Sequence, residues 1–153
     1  MEMQDGGVVK IELDPKAAPI TAANFEKLVK EGFYDGLTFH RIIPGFMVQG
    51  GDPLGTGMGG SSETIRGEFA ANGVNNPISH KRGVISMARS SYPNSASSQF
   101  FIMHDDGEFL DGNYAAFGRV VDGMDVIDRI AATPTGVNDR PKTPVVIARM
   151  TVE

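Results

Sequence analysis

Cysteine is missing from the chain, which rules out disulfides and thiol catalysis and leaves the redox compartment open. No apolar run is long enough to span a bilayer. The opening Met1-Glu2-Met3-Gln4-Asp5-Gly6-Gly7 has neither the basic nor the apolar segment of a secretory signal, so a soluble, cytoplasmic protein with no membrane partner is expected. Basic clusters are scarce as well: 14 Lys and Arg face 19 Asp and Glu, the formal net charge is −5, and no basic run could follow a phosphate backbone. Nucleic acid is thereby excluded as the main partner.

What is present is apolar alternation broken by turn formers. Nine prolines and 19 glycines are spread among apolar runs instead of being gathered in a tail, the composition of an ordered, turn-rich protein. At 153 residues the chain is expected to form one domain, 1–153, burying about two-thirds of its unfolded surface. From Val8 to Leu13, Val9, Ile11 and Leu13 fall on one face and Lys10 and Glu12 on the other, which predicts a half-buried strand ended by Asp14-Pro15. Thr21 to Glu31 reads as a helix, with Thr21 as cap, Phe25, Leu28 and Val29 as apolar stripe, Glu26 and Lys30 as an i,i+4 pair, and Gly32 as stop.

Short strands are predicted over Thr38–Ile42, Phe46–Gln49, Val84–Ala88, Phe100–Met103, Ala115–Val121 and Val145–Val152. A second helix is predicted over Gly123–Ile130, with Asp122 as cap. That spacing favours antiparallel β architecture; parallel βαβ units would demand more helices. The segments Asp52–Lys81 and Ala131–Pro144 exceed ordinary connection lengths and are expected to be shaped loops around a site.

Several familiar chemistries fit poorly. Gly55-Thr56-Gly57-Met58-Gly59-Gly60 has the GxGxxG spacing, but no clear helix follows it and Pro53 interrupts its approach, so a shaping loop is the better reading than a dinucleotide loop. His40, His80 and His104 form no HxxxH pair, and no metal or cofactor is expected. Ser, His and Asp all occur, yet without a GxSxG elbow their presence says little about hydrolysis. Arg41 is more informative because it sits between Phe39 and Ile42-Ile43, where a permanent cation needs an ion pair or a ligand-facing opening. Gln49 and Gln99 likewise interrupt apolar strands and must satisfy an acceptor and two donors if buried. Phe46, Met47, Phe101, Phe109 and Leu110 read singly as core, although alternation allows one aromatic of Phe100-Phe101 to face outward.

The run Phe39-His40-Arg41-Ile42-Ile43-Pro44-Gly45-Phe46-Met47-Val48-Gln49-Gly50-Gly51-Asp52, with Gly83–Ala88, Ser98-Gln99-Phe100-Phe101-Ile102 and Phe109–Gly112, resembles the cyclophilins, a family of peptidyl-prolyl cis-trans isomerases. The likeness extends over nearly the whole chain and is closest to compact, microbial, single-domain members. It implies a mainly β fold: a closed eight-stranded antiparallel barrel capped by two α-helices, with a substrate groove outside. It implies Arg41, Gln49 and Phe101 as catalytic residues. Phe46 and Met47 would stand beside them, Gln99 near the centre, Phe109 and Leu110 around the proline pocket, Gly57, Ala88, Arg89 and Ser90 along the adjoining groove, and His40 as a site histidine. Tyr114 stands at the rim where many relatives have histidine, and Phe109 where many have tryptophan, losing an indole donor. Arg89 and Ser90 replace common small or amide-bearing residues. The implied partners are proline-containing peptides and unfolded or flexible protein segments, with weak cyclosporin binding. A monomer is expected. The rival reading is a proline-peptide binding or chaperone module with little catalysis.

Overall fold

In a computed structural model describing residues 1–153, the elements follow in the order β1 (Glu2–Met3), β2 (Lys10–Leu13), α1 (Pro19–Lys30), β3 (Phe39–Ile43), β4 (Met47–Gly50), β5 (Val84–Met87), β6 (Phe100–Met103), β7 (Ala116–Asp122), α2 (Met124–Ala131) and β8 (Ile147–Arg149). Every ladder is antiparallel. Six strands form one sheet in the order β2-β7-β5-β6-β4-β3, and β1 pairs with β8 in a second, two-stranded one. The expected mainly β class with eight strands and two helices holds, but the continuous ladders stop short of one closed sheet. Between the two sheets lie only single bridges, Glu2 with Val8 and Thr38 with Val146.

Three sequence expectations about boundaries need correction. Thr21 does not cap α1: the helix starts at Pro19, whose missing N–H costs nothing in a first turn, while Thr21 is fully buried. Its N–H and hydroxyl both donate to Glu68 Oε1, at 2.6 and 2.7 Å, so a buried carboxylate from a distant loop accepts from the first turn in place of a local cap. Asp122 does not cap α2 either. It ends β7 opposite Lys10, and Gly123 turns the chain at φ 93°, where a side chain would also strike the Val8 carbonyl. The strand predicted over Val145–Val152 shrinks to Ile147–Arg149, because β1 offers only two residues to pair with and the Met150 N–H turns away to the Asp35 carboxylate at 3.0 Å.

α1 otherwise follows its pattern. Phe25, Leu28 and Val29 are buried, and Lys30 meets Glu26 at 3.0 Å on the outer face. Phe25 packs against Tyr34, Phe100 and Phe117 with centroids 5.0–5.6 Å apart, contacts of about 0.5–1.5 kcal/mol each beyond their area. This aromatic group anchors the larger core, which also takes Phe39, Ile42, Val48, Ile85 and Ile102.

A second, smaller core lies on the opposite face of the same strands: Met47, Val84, Phe101, Met103, Leu110 and Ala116. The two-residue period of β4, β5 and β6 deals neighbours to opposite sides, so Phe100 and Ile102 enter the large core while Phe101 and Met103 build the small one. That small core is the floor of the candidate site.

Candidate active site

One row of residues crosses the sheet and assembles the centre of the site. Arg41 lies opposite Gln49, Gln49 opposite Phe101, Phe101 opposite Ser86, and Ser86 opposite Ala116. Alternation alone would put Arg41 on the same face as buried Phe39. Instead the β3–β4 register slips: Phe39 pairs with Gly50 and Arg41 with Gln49, leaving His40 as the extra residue of a bulge. Phe39, His40 and Ile42 are therefore buried while Arg41 is exposed. A single inserted residue moves the cation from core to groove.

Arg41 meets no carboxylate; its Nη1 donates to Gln49 Oε1 at a long 3.4 Å. Gln49 Nε2 donates to Gln99 Oε1 at 3.0 Å, and Gln99 Nε2 donates to the carbonyls of Gly57 and Gly59 at 3.0 and 2.8 Å. The two glutamines singled out in the sequence are thus linked to each other and to the guanidinium. Beside them is a concavity of about 150 Å³, floored by Phe101 and walled by Met47, Leu110, Phe46, Ala88 and Tyr114, with Arg41, Gln49 and Arg89 at its edge. A small apolar cup with one unpaired cation on its lip can hold a compact ring and donate to an atom above it.

Arg89 secures the far wall. Its Nε and Nη2 donate to the Asn113 carbonyl at 3.0 and 2.7 Å and its Nη1 to the Ser90 carbonyl at 2.9 Å. Its guanidinium lies 4.9 Å from the Phe69 ring centre and 4.8 Å from that of Tyr114. Tyr114 in turn meets Phe101 edge-on at 5.8 Å.

Not every expected site residue lines the cup. Phe109 stands outside it, 74% exposed, its ring 5.5 Å from that of Phe46. Gln99 and Gly57 act behind Gln49, and Ser90 is exposed on the adjoining loop, its N–H donating to Ser95 Oγ at 2.9 Å. His40 is 7% exposed and both its ring nitrogens lack a hydrogen-bond partner. Burial holds its pKa below the ordinary histidine value; Asp52 opposes that shift, and Arg140 and Arg41 reinforce it.

Sequence reasoning passed over a second polar group directly beneath the floor. His80 stacks on the Phe101 ring at 6.0 Å, and its Nδ1 lies 2.8 Å from Asp111 Oδ1 and its Nε2 2.9 Å from Ser86 Oγ. A carboxylate only accepts, so Nδ1 carries the proton and Nε2 accepts from the Ser86 hydroxyl. Burial lowers the His80 pKa against the pull of Asp111, leaving it neutral at pH 7. Asp111 also accepts from Ser79 Oγ at 2.5 Å and from the His80 N–H at 2.7 Å. These contacts outweigh its own desolvation and lower its pKa. Serine, histidine and aspartate are thus in the order of a hydrolase relay, yet Ser86 is 0% and His80 1% exposed, so no substrate can reach the hydroxyl.

Two larger concavities lie elsewhere. One, of about 610 Å³, is an open polar hollow around Asp5, Asp122 and Asp125, where Asp5 is already paired with Arg129 at 3.3 Å. The other, of about 460 Å³, runs between β2, α1 and the final residues. Neither brings an unpaired cation to an apolar cup. No group of three or more histidine, cysteine, aspartate or glutamate side chains converges to hold a metal ion, and no helix is long and apolar enough to cross a membrane.

The family described as cyclophilin type peptidyl-prolyl cis-trans isomerase/CLD matches residues 1–152, and the chain belongs to it. It is 50% identical over 123 residues to peptidyl-prolyl cis-trans isomerase B of Bacillus subtilis, covering 80% of this chain and 82% of that one. It is 49% identical over 135 residues to peptidyl-prolyl cis-trans isomerase-like 1 of Rhizopus delemar, covering 88% and 80%. Among solved structures, a Cryptosporidium parvum cyclophilin type peptidyl-prolyl cis-trans isomerase, crystallised in the presence of the dipeptide Ala-Pro, superposes with a TM-score of 0.90 at 32% identity, covering 99% of this chain and 95% of that one.

Proposed function

We propose that this chain catalyses cis–trans isomerisation of X-Pro peptide bonds and thereby assists protein folding. The observation that carries the reading is the unpaired Arg41 guanidinium beside an apolar cup whose size suits a proline ring. Unassisted X-Pro rotation takes tens to hundreds of seconds because resonance keeps the bond planar. Catalysis requires the twisted amide to bind better than either planar isomer.

The proline ring rests on Phe101 between Met47, Leu110 and Phe46. As the amide twists, its nitrogen regains a lone pair, and Arg41 donates a hydrogen bond to it. Gln49 holds the guanidinium from behind through Oε1, leaving its other N–H groups free to donate. Lowering the barrier by roughly 5–6 kcal/mol would accelerate exchange about ten-thousandfold, within reach of positioning combined with one contact formed only in the transition state. A relative solved in the presence of Ala-Pro supports proline-containing peptides as the ligand class. The reading as a binding module with little catalysis is less favoured, because binding planar proline needs the cup but not an uncompensated cation.

We further infer that the fold is a single closed barrel acting as a monomer. The single bridges Glu2–Val8 and Thr38–Val146 support closure, since they join the β1–β8 pair to both edges of the six-stranded sheet. Cyclosporin is expected to bind weakly, Phe109 having no N–H to offer it. The decisive experiment is NMR exchange spectroscopy on an X-Pro peptide, comparing the protein with Arg41→Ala at equal folded fraction. No acceleration by the unmodified protein defeats the isomerase reading, and equal acceleration by both defeats the role of Arg41.

A further inference from the structure

The glycine-rich run after β4 wraps a buried anion. Asp52 is 1% exposed and forms no ion pair. Its Oδ1 accepts the Leu54 N–H at 2.8 Å, and its Oδ2 accepts those of Thr56, Gly57 and Gly59 at 3.1, 2.6 and 3.1 Å. Desolvation alone would raise the pKa of this carboxyl, but the four backbone donors outweigh it and lower the pKa. The glycines follow from the anion: a Cβ on Gly59 would collide with the Asp52 carboxylate, and Gly57 sits at φ 89°.

While the N–H groups of Gly57 and Gly59 turn inward to Asp52, their carbonyls turn outward, and both accept from Gln99 Nε2. This fixes the polarity of everything downstream. With its nitrogen committed to two carbonyls, Gln99 presents Oε1 to Gln49, so Gln49 must offer its nitrogen to Gln99 and its oxygen to Arg41. Reversing either amide would set N–H against N–H or oxygen against oxygen.

We propose that Asp52 is a positioning residue for isomerisation: its carboxylate shapes the Gly57–Gly59 loop so that Gln99 and Gln49 hold Arg41 over the proline pocket. The inference rests on the isomerase reading for its kinetic test, and the relay itself can be observed without turnover. Asp52→Asn replaces one carboxylate oxygen with a donor facing backbone N–H groups and removes the charge. Because Arg41 contacts the twisted amide and not the planar ground state, the loss falls on kcat.

The experiment measures exchange of an Ala-Pro-containing tetrapeptide by the full chain, with Asp52→Asn made alone and in the Arg41→Ala background, at matched folded fraction. The expected result is a roughly tenfold fall in kcat with KM changed less than about twofold. In the Arg41→Ala background, Asp52→Asn should change the rate by less than about twofold. The same tenfold loss in both backgrounds, or none in either, overturns the proposal, since Asp52 would then act by some route other than Arg41. Should Asp52→Asn fail to fold, Gln99→Leu cuts the relay one step later and goes through the same cycle, an unchanged rate again overturning the idea.

A separate arm records the side-chain amide resonances of Gln49 and Gln99. Both sets should move in Asp52→Asn, and Gln49 should move in Gln99→Leu. If the unmodified protein accelerates no exchange, the isomerase reading falls and these resonances alone judge the relay: static Gln49 signals refute it.

Discussion

Phe101 separates two hydrogen-bonded polar chains of three residues each, with opposite fates. Above it, Arg41, Gln49 and Gln99 form a chain that ends in an exposed guanidinium with no carboxylate partner. Below it, Ser86, His80 and Asp111 form a chain whose hydroxyl is wholly buried. Judged by residue type, the lower group looks the more catalytic, because serine, histidine and aspartate are the parts of a nucleophilic relay. Access reverses that ranking. A hydroxyl sealed under an aromatic ring braces β5 against the loop before it, whereas an exposed cation with no carboxylate partner is free to meet a ligand.

The comparison would break most readily at its two central residues. Arg41→Ala should slow X-Pro exchange by about 100-fold or more, the usual cost of removing a donor aimed at the transition state, while the exposed position keeps the stability change within about 0.5 kcal/mol. His80→Ala should do the reverse. It leaves Ser86 and Asp111 without their shared partner and should destabilise the fold by about 2–4 kcal/mol in urea denaturation. An organophosphonate serine probe should leave Ser86 unlabelled in the folded protein, and stoichiometric labelling there would show that the lower group is open after all.

Acid sharpens the contrast more gently. Burial depresses the pKa of both His40 and His80, so each takes up protons more readily in the unfolded state. The penalty is absent above the ordinary histidine pKa of about 6.5 and grows as pH falls below it towards the folded values. The thermal midpoint should therefore be flat above neutrality and decline between pH 7 and pH 5. The depressed pKa values of the Asp52 and Asp111 carboxyls act in the same direction in a lower window: the stability they contribute is full above the ordinary aspartate range and is lost as pH falls through it towards the folded values. A midpoint that rises on acidification to pH 5 would contradict the buried, neutral state of both imidazoles.

The smallest effect is expected at the rim. Phe109 is largely exposed, so Phe109→Trp should leave stability within about 0.5 kcal/mol. The added indole donor should tighten cyclosporin binding by up to about tenfold, the worth of one hydrogen bond, as isothermal titration would show. An unchanged affinity would mean that the indole donor is not what limits cyclosporin binding.

Much of this was legible in the chain. The β5 and β6 segments are legible as short apolar runs bounded by turn formers, because both of their faces are buried, and the stripe of α1 follows from the period of 3.6. The division of Phe100 from Phe101 between core and groove is a direct consequence of the strand period. The Thr21 cap was misread for a physical reason: Thr21 is a good cap in isolation, but the helix starts at Pro19, and the first-turn Thr21 N–H is met by buried Glu68, 47 residues away. The Ser86–His80–Asp111 group left no signal, since Ser86 on β5, His80 in the loop before it and Asp111 in the connection between β6 and β7 meet only in the fold.

Local alternation and turn chemistry, together with the two glutamines set in apolar strands, determined a turn-rich antiparallel β protein and marked Arg41 as a residue needing explanation. Which way Arg41 points was decided only in three dimensions. Period two would have buried it beside Phe39, and the bulge at His40 turns it out, an event set by pairing with β4 and invisible along β3 alone. Whether a hydroxyl reacts or merely braces was likewise settled by what packs over it. Residue order specifies chemical groups, but exposure is created jointly by segments far apart in the chain.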